Sequence, residues 1–176
     1  MLGKTVWFFG LPCSGKTTLA KKLVESFEKR GMRVHHLDGD VVRKKFTKDL
    51  GFSIDDRFEN IRRMGYLAES LNKHGINVIA SFVTPMRAYR YFLDKIFGKN
   101  IVFIECHASI ERCMERDVKG MYEEALFGRI KDFTGLTSPY EMGPTYGKYH
   151  ASHTEALSQS DCVIKIRNFL ERCEVF

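Results

Sequence analysis

The stretch Gly10-Leu11-Pro12-Cys13-Ser14-Gly15-Lys16-Thr17 satisfies GxxxxGK[ST] at every fixed position, and no other feature limits the fold of this 176-residue chain as tightly. An apolar, aromatic run over 4–9 precedes it, and Leu19, Leu23, Val24 and Phe27 follow at helical spacing. Strand, loop and helix in that order make a phosphate cradle. Backbone N–H groups of the loop and the helix N-terminus wrap an anion, and glycine lets the backbone approach it without a Cβ clash. The motif predicts that Lys16 neutralises the β and γ oxygens of ATP and that the Thr17 hydroxyl ligates magnesium. Gly10, Pro12, Cys13, Ser14, Gly15 and Thr18 complete the expected ATP-binding loop.

The rest of the chain alternates in the same way. Gly31 stops the first helix, 33–37 reads as a second strand, and Asp38-Gly39-Asp40 sits at its end. Over 54–73, Phe58, Ile61, Met64, Leu67, Ala68 and Leu71 recur at helical intervals, with Arg57, Asn60 and Arg63 on other faces. A buried strand over 77–83 closed by Pro85, a helix over 87–97, a strand over 101–106 and a short helix over 110–116 follow. Residues 117–160 are rich in Gly, Lys, Tyr and Thr with weak periodicity, which predicts a lid. The run 162–166 reads as a last strand before a short helix. The fold class is therefore α/β: a P-loop NTPase-type open parallel sheet with helices on both faces and a lid, expected as a single domain over 1–176.

Composition narrows the partners. Net charge is +6, which suits a polyanion, but the basic residues are scattered with no run of five or six, unlike a nucleic-acid tail. Small nucleotides are the expected partners, not nucleic acid or membrane, since no apolar stretch approaches the roughly 18–20 residues that span a bilayer. The five cysteines are an odd number with no CxxC pair, which fits reduced thiols and a cytoplasmic setting. Cys13 reads as a small residue tolerated in the loop.

Phosphoryl transfer needs charge neutralisation and positioning more than covalent chemistry. Asp38 and Asp40 are the candidate carboxylates, and strand alternation would turn both toward one crevice. Asp40 is expected to act as base or orienter of an acceptor hydroxyl, and Asp38 to hold magnesium through water. The strand at 77–83 lacks the acidic end usual in such folds, which shifts metal duty onto this pair. An isolated Asp-Gly pair would also fit a solvated turn.

Several blocks in order make the chain resemble the adenylylsulfate kinases. They are Gly10 to Thr18; Leu37-Asp38-Gly39-Asp40 with Arg43; Lys48-Asp49-Leu50-Gly51-Phe52-Ser53; and Asp56-Arg57 with Glu59-Asn60-Ile61-Arg62-Arg63. Ser81-Phe82-Val83-Thr84-Pro85, Arg116-Asp117-Val118-Lys119-Gly120-Met121-Tyr122 and Ile130-Lys131-Asp132-Phe133-Thr134-Gly135 complete the match, which runs from about Val6 to Glu141. The resemblance implies ATP-dependent phosphorylation of the 3′-hydroxyl of adenosine 5′-phosphosulfate, a step of sulfate assimilation. It implies that Phe52 and Phe133 sandwich the acceptor base, that Arg43, Arg57 and Asn60 hold its phosphosulfate and ribose, and that Val83 borders it. Lys119 and Lys131 would be lid lysines, Arg116 would lie against the donor adenine, and a homodimer is plausible by family.

The chain departs from the family in places. Thr84 stands where many members carry a serine tied to a phosphorylated enzyme form, Val41 replaces a frequent asparagine, and Arg129 a frequent glutamate. The segment 142–160 is longer than usual and carries Tyr146, Tyr149, His150 and His153. These histidines and Cys162 show no four-ligand metal spacing and read as loop residues. Two other functions stay open: the same transfer to another activated nucleotide, such as cytidine diphosphoramidate, since stacking tolerates any base, or a nucleotide-binding regulator without catalysis. Intact Lys16, Thr17, Asp38 and Asp40 argue against the regulator.

Overall fold

The computed structural model describes residues 2–143 and 147–174. Five parallel strands form one sheet in the order β2-β3-β1-β4-β5. They are β1 (Thr5–Phe9), β2 (Val34–Asp38), β3 (Asn77–Ser81), β4 (Ile101–His107) and β5 (Lys148–His153). The helices are α1 (Lys16–Glu28), α2 (Gly39–Lys45), α3 (Ile54–Lys73), α4 (Arg87–Phe97), α5 (Ile110–Arg116), α6 (Met121–Leu126) and α7 (Gln159–Arg172).

The two-residue period of the central strand sorts the core into two layers. Val6 and Phe8 point to one face, where Leu19, Leu23 and Phe27 of α1 meet Cys162, Ile166 and Leu170 of α7. Trp7 and Phe9 point to the other, against Ile61, Met64 and Ala68 of α3 and Leu93 and Phe97 of α4. A third cluster of Leu11, Ala108, Cys113, Tyr122, Ala125 and Phe133 lies beyond the C-terminal ends of the strands and seats α6.

Three expectations are corrected. The run 162–166 is not a strand: it belongs to α7, because Cys162, Ile166 and Leu170 recur every four residues, and the Ser158 hydroxyl accepts from the Asp161 N–H as an N-cap. The last strand is β5, inside the segment expected to be lid. Its residues are mostly half-buried because it lies at the sheet edge with β4 as its partner, which hides it from an apolar-run criterion. His150 and His153 therefore lie on a strand, not a loop; Tyr146 lies outside the described residues. The irregular segment above the sheet is thus confined to the stretch before β5 and contains α6.

Candidate active site

The loop after β1 bends as its sequence demands. Gly10 has φ 147°, and a Cβ there would sit 2.6 Å from the Cys106 carbonyl oxygen and 2.7 Å from Ser14 Oγ, so only glycine fits. Gly15 has φ 96° at the start of α1, and Cys13 also takes a positive φ of 60°. The Tyr122 hydroxyl donates to the Pro12 carbonyl at 3.1 Å, tying α6 to the loop. Lys16 is 9% exposed and its Nζ donates to the Leu11 carbonyl at 2.5 Å. Burial pushes its ammonium below the ordinary lysine pKa. Ser14 Oγ is buried without a hydrogen-bond partner among the described residues. A buried cation and an unpartnered hydroxyl at the N-terminus of α1 together call for an anion of several oxygens.

Beside the cradle, the Thr17 hydroxyl donates to Asp38 Oδ2 at 2.8 Å, and the Ser81 hydroxyl donates to the same oxygen at 3.2 Å. Because Ser81 spends its one proton on Asp38, His36 Nε2 must be the donor in its 3.0 Å contact with Ser81 Oγ. Burial raises the Asp38 carboxyl pKa, but the bonds from Thr17 and the Val41 N–H, then nearby His36 and Ser81, outweigh it and hold the group below its ordinary value.

The Asp38/Asp40 pair is held by a cap, not by strand alternation. Asp38 ends β2 and accepts from the Asp40 and Val41 N–H groups as N-cap of α2, so Asp40 lies in the first turn of a helix. Gly39 permits the turn, since a Cβ there would press on the Ser81 carbonyl at 3.1 Å and on the Phe82 ring. Asp40 reaches the crevice by a different route from Asp38 and pairs with Lys119 Nζ.

The acceptor candidates flank this pair unevenly. Phe52 is 57% exposed, with the Arg43 guanidinium 4.5 Å and the Arg57 guanidinium 5.7 Å from its ring centre. Arg43 donates to the Leu50 and Gly51 carbonyls; Arg57 donates to the carbonyls of Phe52 and Asp132 and to the Thr134 hydroxyl. Phe133, in contrast, is buried edge-on against Tyr122, with ring centres 4.8 Å apart. Asn60, which the resemblance sets against the acceptor, lies on α3. It is buried, and its Oδ1 accepts from the Thr47 hydroxyl at 2.7 Å, which leaves its amide nitrogen as the group to offer a ligand. Lys131 is exposed, and Val83 is half-buried with its carbonyl accepting from the Gly10 N–H at 3.3 Å.

Sequence reading missed a buried polar knot behind the crevice. Glu105, 1% exposed, accepts from the Tyr140 and Tyr149 hydroxyls and the Gly143 N–H. Arg90, fully buried over the Phe9 ring, donates to the Thr84 and Glu141 carbonyls. Thr84, at φ 45°, accepts from the Trp7 indole N–H at 2.9 Å. A glutamate inside the otherwise apolar β4 run was the available signal. Thr154 was also missed: its hydroxyl donates to the Ser14 carbonyl at 2.8 Å, and Arg116 donates to its carbonyl at 2.5 Å and to its hydroxyl at 3.3 Å.

A family model described as adenylylsulphate kinase matches residues 2–148. A probable adenylyl-sulfate kinase of Pseudomonas aeruginosa is 42% identical over 160 residues, covering 90% of this chain and 73% of the relative. An adenylyl-sulfate kinase of a Synechococcus strain is 43% identical over 92% of this chain and 90% of its own. Among solved structures, the APS kinase CysC of Mycobacterium tuberculosis, in complex with AMPPNP and APS, superposes with a TM-score of 0.89 at 32% identity, covering 97% of this chain and 98% of that one.

Proposed function

Because this chain belongs to the adenylylsulphate kinase family, we propose that it transfers the γ-phosphoryl group of ATP to the 3′-hydroxyl of adenosine 5′-phosphosulfate, giving 3′-phosphoadenylylsulfate and ADP. The observation that carries this reading is the buried Lys16 beside the Thr17–Asp38 pair, with Asp40 in the first turn of the helix that Asp38 caps and paired with Lys119. Loop N–H groups and Lys16 grip the donor phosphates. Thr17 and Asp38 offer hard oxygens 2.8 Å apart, a donor set that fits magnesium, with Asp38 acting through water. When bound, the ion supplies charge neutralisation on the phosphates.

Asp40 orients the acceptor hydroxyl and takes its proton as the 3′-oxygen bonds to phosphorus and ADP departs. To do so it exchanges the Lys119 ammonium for that hydroxyl, and Lys119 then turns to the phosphates. Both partners are about half-exposed, so the exchange costs little. Phe52 and Phe133 flank the acceptor base, while Arg43, Arg57, Asn60 and Val83 frame the ribose and phosphosulfate. Lys131 joins from the lid, and Arg116 supports the donor adenine. The whole chain over 1–176 acts as one domain.

A coupled assay of ADP release, with the product identified by mass, tests the assignment. Turnover of adenosine 5′-phosphosulfate supports it; turnover of cytidine diphosphoramidate alone would overturn it. We infer a homodimer from the prevalence of two-fold assemblies, checked by light scattering. Among the described residues no helix is long and apolar enough to cross a membrane. All five cysteines are free, which supports a cytoplasmic location.

A further inference from the structure

Thr154 begins the turn between β5 and α7, far along the chain from the phosphate loop. Its N–H donates to the His107 carbonyl at 3.0 Å, which fixes its backbone to the end of β4. Its hydroxyl donates to the Ser14 carbonyl at 2.8 Å, a bond across 140 residues of sequence, with the His107 carbonyl farther off at 3.4 Å. A trans peptide points its C=O and its N–H in opposite directions. Holding the Ser14 oxygen outward, toward β5, therefore turns the Gly15 N–H inward, where the loop would meet an anion.

The same residue carries a second attachment. Arg116, at the end of α5, donates to both the carbonyl and the hydroxyl of Thr154. The Thr154 methyl side lies against Gly15, where a Cβ would come within 3.8 Å of it. One residue thus joins the phosphate loop to Arg116, the arginine proposed to support the donor base.

We propose that Thr154 is a positioning residue for the donor nucleotide: its hydroxyl locks the Ser14–Gly15 peptide in the anion-binding orientation and couples that orientation to Arg116. This gives the divergent segment 142–160 a task, because β5 carries Thr154 to the loop. The inference rests on the 10–17 loop binding ATP and not on which acceptor is used.

The test uses Thr154→Val, which keeps the shape and removes the hydroxyl, and Thr154→Ser, which keeps the hydroxyl. Binding of ADP with magnesium is measured by calorimetry, alongside thermal melts. One net hydrogen bond corresponds to a weakening of about 3- to 10-fold in Kd. Thr154→Val is expected to show that loss with little change in Tm, and Thr154→Ser to restore wild-type affinity. In turnover, Thr154→Val should raise KM for ATP by a similar factor and leave KM for the acceptor unchanged.

Unchanged ADP affinity in Thr154→Val overturns the proposal. So does an equal loss in both variants with a lowered Tm, which would make the threonine merely structural. Because calorimetry needs no acceptor, a failure of the acceptor assignment would appear as absent turnover with the ADP result intact.

Discussion

The two halves of the crevice are built differently. On the donor side, Ser14 and Lys16 are buried, and the loop is tied from outside by Tyr122 and Thr154. On the acceptor side, Phe52 is exposed, the Asp40–Lys119 pair is exposed, and Arg57 bridges to 132–134 with bonds that a substrate could replace. In the proposed reading, the donor half meets the ordering cost of binding in folding, whereas the acceptor half would be assembled when its ligand arrives.

The sharpest way to break this contrast is Lys16→Met. It should lower kcat/KM by about 10³-fold or more, in the range of losing a main charge stabiliser. It should leave Tm unchanged or higher, since a buried ammonium without an ionic partner among the described residues is removed. A Tm well below wild type would show that the donor half is not strained by its charge. Next, Asp40→Ala should reduce kcat about 10²- to 10⁴-fold, the usual span for general acid–base groups. Its ADP affinity by calorimetry should match wild type, and a large loss there would mean that the halves are not separable.

Phe52→Ala should raise the acceptor KM roughly 5- to 100-fold, the span for one stacked base, with unchanged KM for ATP. Equal effects on both substrates would contradict the division. A smaller effect is expected from pH. Asp38 has a depressed folded pKa, so its stabilising bonds are fully present above the unfolded carboxylate value of about 3.9 and are lost as pH falls through the lower folded value. The Tm gap between wild type and Asp38→Asn should thus hold from pH 7 to about pH 5 and shrink only below about pH 4. A gap closing near neutrality would assign the titration to another group. Smallest of all, Lys119→Met should shift unfolding free energy by no more than about 1 kcal/mol, as for other exposed pairs. Any larger loss in denaturant melts would show the acceptor side to be more rigid than its exposure indicates.

The same contrast explains what could be read from the sequence. The motif at 10–17 and the apolar runs of β1, β3 and β4 announce themselves, because buried parallel strands must be continuously apolar. α3 and α4 were legible for a related reason: each keeps one apolar stripe toward the sheet. β5 was not, since the edge strand Lys-Tyr-His-Ala-Ser-His is half-buried and carries polar groups. The Cys-Val-Ile-Lys-Ile run mimicked a strand, although Ser158 and Asp161 form a cap at legible spacing. α2 was missed because Asp38 both ends a strand and caps a helix, and burial of Asn60 depends on Thr47, a partner no periodicity reveals.

The sole tryptophan of the chain, Trp7, is fully buried, stacked on Phe82 and hydrogen-bonded to the strained Thr84. Its indole therefore reports on the Phe82–Thr84 corner. Intrinsic fluorescence becomes a single-site optical gauge: its emission should be blue-shifted and resist aqueous quenchers. Rearrangement of 82–85 on acceptor capture would register there without any attached dye.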